Sequence, residues 1–183
     1  MKTLFRFPLP TLIGCFLISF STVNAQMVVD NLQKEGVEMN PNADRDIKIA
    51  TDFIKAVVID EDQAKARTMV IPGFKAYGPA MADSSMIDET MQGWQRTYVN
   101  QKNRKVVVRP LSFRVKTGPY KGDWVSIWGD YTFTESGKTI TFPYTYLMMI
   151  INGKIAGARI YHDTASIMTQ LGYKVTPPDV ATK

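Results

Sequence analysis

The chain has 183 residues, of which 45% are hydrophobic and 21% charged, with one cysteine and one histidine. Its formal charge of +5 comes from 22 basic and 17 acidic residues, without the broad basic stripe that a nucleic-acid surface needs. One cysteine allows no internal disulfide, and one histidine cannot build a multi-histidine metal site.

The N-terminus has the three parts of a secretory signal. Lys2 and Arg6 supply positive charge, Leu12 to Phe20 an apolar run, and Val23-Asn24-Ala25 a small-x-small cleavage pattern. The run is about half of the ~20 residues that cross a bilayer, so a permanent membrane anchor is the weaker reading. Leu12-Ile13-Gly14-Cys15 has the shape of a lipobox. Against lipid anchoring at Cys15, the apolar run continues past it to Phe20, and Pro8 and Pro10 interrupt the only apolar segment before it. Cleavage after Ala25 leaves 158 residues with no cysteine and a charge of +3, a single-domain length. Disulfides, thiolate nucleophiles and cysteine-ligated metals are then excluded, and an exported, periplasmic or extracellular protein is expected.

Residues 26–41 read as a flexible lead-in. Asn42 or Asp44 is placed to cap a helix in which Ile47, Ala50, Phe53, Ile54, Val57 and Val58 recur at three- and four-residue intervals. Asp60-Glu61-Asp62 breaks it and opens a short second helix through Met69, where acidic residues suit the positive end of the helix dipole. Pro72-Gly73 is expected to end that helix, before a short extended stretch from Phe74 to Tyr77. Ser84 or Ser85 then opens a third helix with Ile87, Met91, Trp94 and Tyr98 on its buried side.

From Arg104 the period changes. Residues 105–116, 123–134, 138–151 and 154–163 are strand-like, rich in β-branched and aromatic residues. Gly118 to Gly122, Glu135-Ser136-Gly137 and Asn152-Gly153 join them, and the last is the strongest two-residue hairpin signal. Thr164 to Leu171, ended by Gly172, reads as a short helix, and 174–183 as a C-terminal tail. Helices followed by a four-strand antiparallel meander give an α+β class.

Several motifs now carry weight together: Asn152-Gly153-Lys154-Ile155, Arg159-Ile160-Tyr161-His162-Asp163-Thr164 and Gln170-Leu171-Gly172. They resemble the C-terminal hallmark of the SnoaL-like branch of the nuclear transport factor 2-like superfamily. Tyr77-Gly78-Pro79, Asp83-Ser84 and the helix with Trp94 look like the middle of such domains. The resemblance covers about Asp44 to Tyr173 and implies a SnoaL-like domain over 42–173. The implied fold is a cone-shaped curved antiparallel sheet packed on N-terminal helices, with a pocket inside. Its members include isomerases, dehydratases and polyketide cyclases, and also non-enzymatic binding or dimerisation modules, so fold alone does not give function.

Strand alternation sorts the candidate side chains. Arg159, Tyr161 and Asp163 fall on one face with Ile155 and Gly157, and His162 on the other. Asp163 is the first acid/base candidate, because a carboxylate in an apolar cavity has a raised pKa and can shuttle protons; the polyketide-cyclase resemblance implies the same role. The alternative is that Asp163 caps the following helix. Asp130, mid-strand, is the other acid candidate, and Tyr161 shares the presumed face of Asp163. Arg159 has two readings: a bridge to Asp163 or Asp130, or a planar fork for an anionic ligand. Tyr144 and Tyr146 can donate to a ligand carbonyl, and Trp94, Tyr98 and Trp128 can wall a pocket. His162 is the one side chain whose ordinary pKa lies near neutrality. No phosphate loop, nucleophile elbow or metal-ligand cluster is present, so no cofactor and no metal are expected.

Three functions remain open. One is an exported pocket domain binding a small, partly apolar molecule. A second is a cofactor-free isomerase, cyclase or dehydratase using a pocket aspartate, and the third is a homodimerisation or protein-interaction module.

Overall fold

A computed structural model describes residues 36–174 and Thr176. The expected signal peptide, most of the lead-in and nearly all of the tail lie outside the described residues. Among the described residues, no helix is long and apolar enough to cross a membrane.

Strand β1 (Val37–Met39) leads into helix α1 (Ala43–Ile54), which continues as a wider π turn over Lys55–Ile59. The predicted apolar stripe is the buried one: Ala50, Phe53, Ile54, Val57 and Val58 all lie in the core. Asp46 lies there too, with no exposed surface. The π turn leaves carbonyls unused by the helix ladder. Tyr98 Oη donates to Val57 O at 2.7 Å and Arg104 Nε to Val58 O at 2.9 Å.

Helix α2 (Gln63–Thr68) is capped by Asp62, which accepts from the Lys65 N–H. It ends earlier than the sequence suggests. Pro72 and Gly73 sit inside strand β2 (Val70–Tyr77), which pairs with the last strand of the sheet and is irregular between Val70 and Lys75. A proline fits a strand at such an irregularity because no ladder hydrogen bond is needed from it there. Ser84 and Ser85 do not open a helix; they form strand β3 (Ser84–Met86). Helix α3 (Ile87–Asn100) follows, with Glu89 accepting from the Met86 N–H at 2.9 Å.

The four expected strands become five, because the first divides at Val107-Val108 into β4 (Lys102–Val106) and β5 (Arg109–Val115). Strands β6 (Gly122–Glu135), β7 (Lys138–Ile151) and β8 (Lys154–His162) complete one eight-stranded sheet. Its order is β1-β5-β6-β7-β8-β2-β3, with β4 also paired to β6. All pairs are antiparallel except β2 with β8. Both tight turns take positive φ at two residues, Ser136-Gly137 and Asn152-Gly153, as a type I′ hairpin requires. Helix α4 (Thr164–Leu171) closes the fold on Gly172 in the left-handed conformation.

The inward face of the sheet carries Val125, Ile127, Tyr131 and Phe133 of β6 and Ile140, Phe142, Tyr144, Met148 and Ile150 of β7. These pack with α1, the π turn, Ala66 of α2 and Met91 of α3 in one core. In β8 a register shift between Met149 and Ile150 changes the alternation. Ile155 and Ala158 both face the core, whereas Gly157, Arg159 and Tyr161 fall on the outward rows. The expectation that Ile155 shares a face with Arg159 and Tyr161 is therefore corrected: one extra residue in the bulge exchanges faces beyond it.

Candidate functional site

The sheet register builds the candidate site. Arg109 of β5 pairs with Trp128 of β6, Trp128 with Thr145 of β7, and Thr145 with Tyr161 of β8. These four residues make one row across four strands, on the face opposite the core. Trp128 is 45% exposed and Tyr161 50%. One step along lies the Asp130–Pro143 pair, and beyond the end of β8 lies Asp163. Together with Gly129, Tyr144 and His162 they line an open depression of about 570 Å³. That volume lies within the range of small-molecule sites.

Two features border it, one on the core side of the sheet behind it and one at its rim. Gly129 is compact because the Val107 backbone crosses it: a Cβ there would meet Val107 O at 1.8 Å. The crossing segment is held by Val107 N donating to Asp130 O at 2.8 Å and Tyr144 Oη donating to Val107 O at 3.0 Å. The rim is charged, with Arg109 Nη1 lying 3.2 Å from Asp130 Oδ2. Both side chains are substantially exposed, so the pair orients the rim more than it stabilises the fold.

The depression gathers Asp163, Asp130, Tyr161, Trp128 and Tyr144 from the residues predicted to form a site. Asp163 takes the capping alternative: exposed to solvent, it accepts from the Ser166 N–H at 2.9 Å. Asp130 has an arginine partner at the surface. Both carboxylates therefore lie at the surface with partners, one a backbone N–H and the other an arginine.

The remaining nominated residues are elsewhere. Trp94 and Tyr98 stack on one another in α3, with centroids 6.0 Å apart, and pack toward the core or the π turn. Tyr146 faces inward and burial pushes its phenol up to about 12; its hydroxyl has no hydrogen-bond partner among the described residues. Tyr144, also inward, is raised to about 12 by burial. Arg159 lies outward, one row from the depression, stacked 4.7 Å over the ring of Tyr77 and 5.9 Å from that of Tyr161.

His162 sits at the join between core and depression. Its ring lies 5.6 Å from that of Phe142, and its Nδ1 is buried with no hydrogen-bond partner. Burial pulls its pKa below 6.5, and the nearby Asp163 opposes this to a smaller degree. Burial therefore favours the neutral form of the His162 ring. Among the described residues, no three His, Cys, Asp or Glu side chains are grouped to hold a metal ion.

Arg109, Pro143 and Thr145 were not singled out from the sequence. Counting pairs outward from the two-residue turn at Ser136-Gly137 would have placed Thr145 opposite Trp128 and Pro143 opposite Asp130.

No family model matches the chain, and no curated protein matches it. Solved structures do. A putative SnoaL-like polyketide cyclase from Jannaschia sp. is 15% identical, with a TM-score of 0.60 over 75% of this chain and 99% of its own. A protein from Catenulispora acidiphila with a ketosteroid isomerase-like fold, solved with trimethylamine, is 19% identical, with a TM-score of 0.56 over 71% of this chain and 98% of its own. A putative polyketide cyclase from Streptomyces antibioticus is 16% identical, with a TM-score of 0.56 over 69% of this chain and 98% of its own. These likenesses show the fold: the helices and eight-stranded sheet form the nuclear transport factor 2-like α+β cone of the SnoaL-like proteins.

Proposed function

We propose that this chain is an exported domain that binds a small, partly apolar molecule in the depression on the outward face of β6, β7 and β8. The observation that carries the reading is the row Trp128–Thr145–Tyr161, which leaves two large aromatic rings exposed beside Pro143 and a paired charge rim. Flat apolar walls with a few polar groups at the edge are the usual make-up of a small-molecule site. The N-terminal charge, apolar run and small-x-small pattern support export.

Binding is favoured over proton-transfer catalysis by the placement of the carboxylates. Asp163 is occupied as a cap, Asp130 is paired at the surface, and the fully buried Asp46 is held by Asn40 and Arg45. The test is a ligand-observed NMR screen of aromatic and alicyclic fragments against the protein and its Trp128→Ala variant. Hits that disappear in Trp128→Ala support the site; hits that persist unchanged overturn it.

One observation favours a second reading. Leu111 (52% exposed), Trp128 and Tyr161 lie on the same sheet face, a surface suited to an isologous contact with a second copy. Sedimentation at high protein concentration tests it, and a strict monomer overturns it.

A further inference from the structure

We propose that the ligand of this depression carries a carboxylate, received by Arg159. The inference rests on the reading of the depression as the binding site. It starts from what Arg159 lacks. Five other arginines are paired with acids: Arg45 with Asp46, Arg67 with Asp88, Arg104 with Glu61, Arg109 with Asp130 and Arg114 with Asp123. Arg159 has no ion pair or hydrogen bond among the described residues, although it is half-buried. Its two expected bridging partners are spent elsewhere, Asp130 on Arg109 and Asp163 on the Ser166 N–H.

The surroundings of Arg159 hold it in place without neutralising it. Its register partners are Leu147 on β7 and Tyr77 on β2, and Gly157 and Tyr161 flank it two residues away on β8. None is acidic. Tyr77 and Tyr161 both lie within reach of the guanidinium carbon, and aromatic contacts of this kind fix the plane while leaving the N–H donors free. Gly157 provides bare backbone beside it, and its partner across β2 is Lys75, a second cation with no ion pair among the described residues. A half-buried, fixed, unneutralised guanidinium with a lysine nearby is complementary to a planar anion, which it can meet with two parallel N–H bonds.

Tyr161 links this cation to the depression. It lines the depression and also contacts Arg159. Residues two apart on one strand are ~7 Å apart along it, about the span from an aromatic ring to a carboxylate on a short alkyl chain. The occupant defined by this geometry is an aryl- or alicyclic-alkanoic acid: ring against Trp128 and Tyr161, carboxylate on Arg159.

The experiment is an NMR titration with 3-phenylpropionate, its neutral isostere 3-phenylpropionamide and inorganic phosphate. The Trp128 indole N–H reports the depression and the Arg159 Nε–H reports the cation. The acid should move both signals and bind about tenfold tighter than the amide, as a hydrogen bond to a charged group implies. The amide should move Trp128 alone, and Arg159→Gln should bring the acid to the amide's affinity. Equal affinities for acid and amide, with Trp128 moving, would overturn the inference and leave the depression standing as a site. An Arg159 response without a Trp128 response to the acid, or phosphate binding as tightly as the acid, would show a bare anion site and overturn it too. If Trp128 answers neither organic probe, the binding-site reading falls, and this inference with it.

Discussion

Asn40 holds Asp46 from outside its helix: Asn40 Nδ2 donates to Asp46 Oδ2 at 2.7 Å, deep in the core. The same amide nitrogen donates to Ser112 Oγ at 2.8 Å, and the amide oxygen accepts the Asn42 N–H at 2.8 Å. Arg45 Nε completes the carboxylate at 2.8 Å. One side chain thus ties the approach to α1, the helix itself and β5. Asn40→Ala leaves a buried carboxylate oxygen and a buried hydroxyl short of partners and should cost about 2 kcal/mol. Asp46→Ala removes the hub and should cost about 3 kcal/mol or more. Urea midpoints at constant slope measure both, and a change below about 0.5 kcal/mol for Asp46→Ala would contradict the network's role.

Gly129→Ala is expected to be the most damaging small substitution in the sheet. The added methyl would lie 1.8 Å from a backbone oxygen that also accepts from Tyr144. A backbone atom cannot move aside as a flexible side chain can, so β4 and β5 would have to part from β6. The expected result is a melting temperature lowered by well over 10 °C, or loss of soluble protein. Thermal melts followed by circular dichroism decide it.

Tyr144 and Tyr146 should separate under the same substitution. Tyr144→Phe loses the bond to Val107 O and should destabilise by about 1 kcal/mol. Tyr146 donates to nothing among the described residues, so Tyr146→Phe should lie within about 0.5 kcal/mol of the parent. Equal losses would show that the Tyr146 hydroxyl has a structural partner.

The pH dependence follows from His162. Its folded pKa lies below the ordinary 6.5 because burial disfavours the charged ring. Below pH 6.5 the unfolded chain therefore binds more protons than the folded one. The stability from keeping His162 neutral is complete above 6.5 and is lost as pH falls toward the lowered value. Asp123 acts in a more acidic window: its hydrogen bonds with Arg114 hold it below 3.8, and its contribution is lost as pH falls through that lowered value. His162→Leu should flatten the stability profile just below pH 6.5 and leave the acid limb below pH 3.8 unchanged. Denaturant titrations from about pH 2 to 8 test this, and an unchanged slope just below pH 6.5 would show that another group titrates there.

Much of the fold was legible because the turns named themselves. Asn152-Gly153 fixes one hairpin, Glu135-Ser136-Gly137 places another to within the one residue, Glu135, that joins the strand, and the stripe from Ile47 to Val58 fixes the helix face that covers the sheet. The Gly172 stop and the Asp163 cap were visible from residue type and position. The bulge in β8 was not, because nothing in Ala156-Gly157 announces which residue is unpaired, and this alone moved Ile155 to the opposite face from Arg159. The parallel pairing of β2 was hidden by Pro72-Gly73, which read as a terminator. Of the site, the aromatic residues could be nominated from type. Their assembly into one row depends on register, which single residues do not show.

The last strand made is the one that β2 needs. Residues 70–77 pair with the short β3 on one side, and on the other they find a partner only in residues 154–162, so an N-terminal fragment cannot seal that side of the fold however long it waits. Closing such a long loop slows the search for the native pairing. A nascent chain lacking β8 therefore stays open along this edge until residues 154–162 have been made. Late closure of this kind would fit the export proposed above, in which a chain is threaded through a channel before it folds.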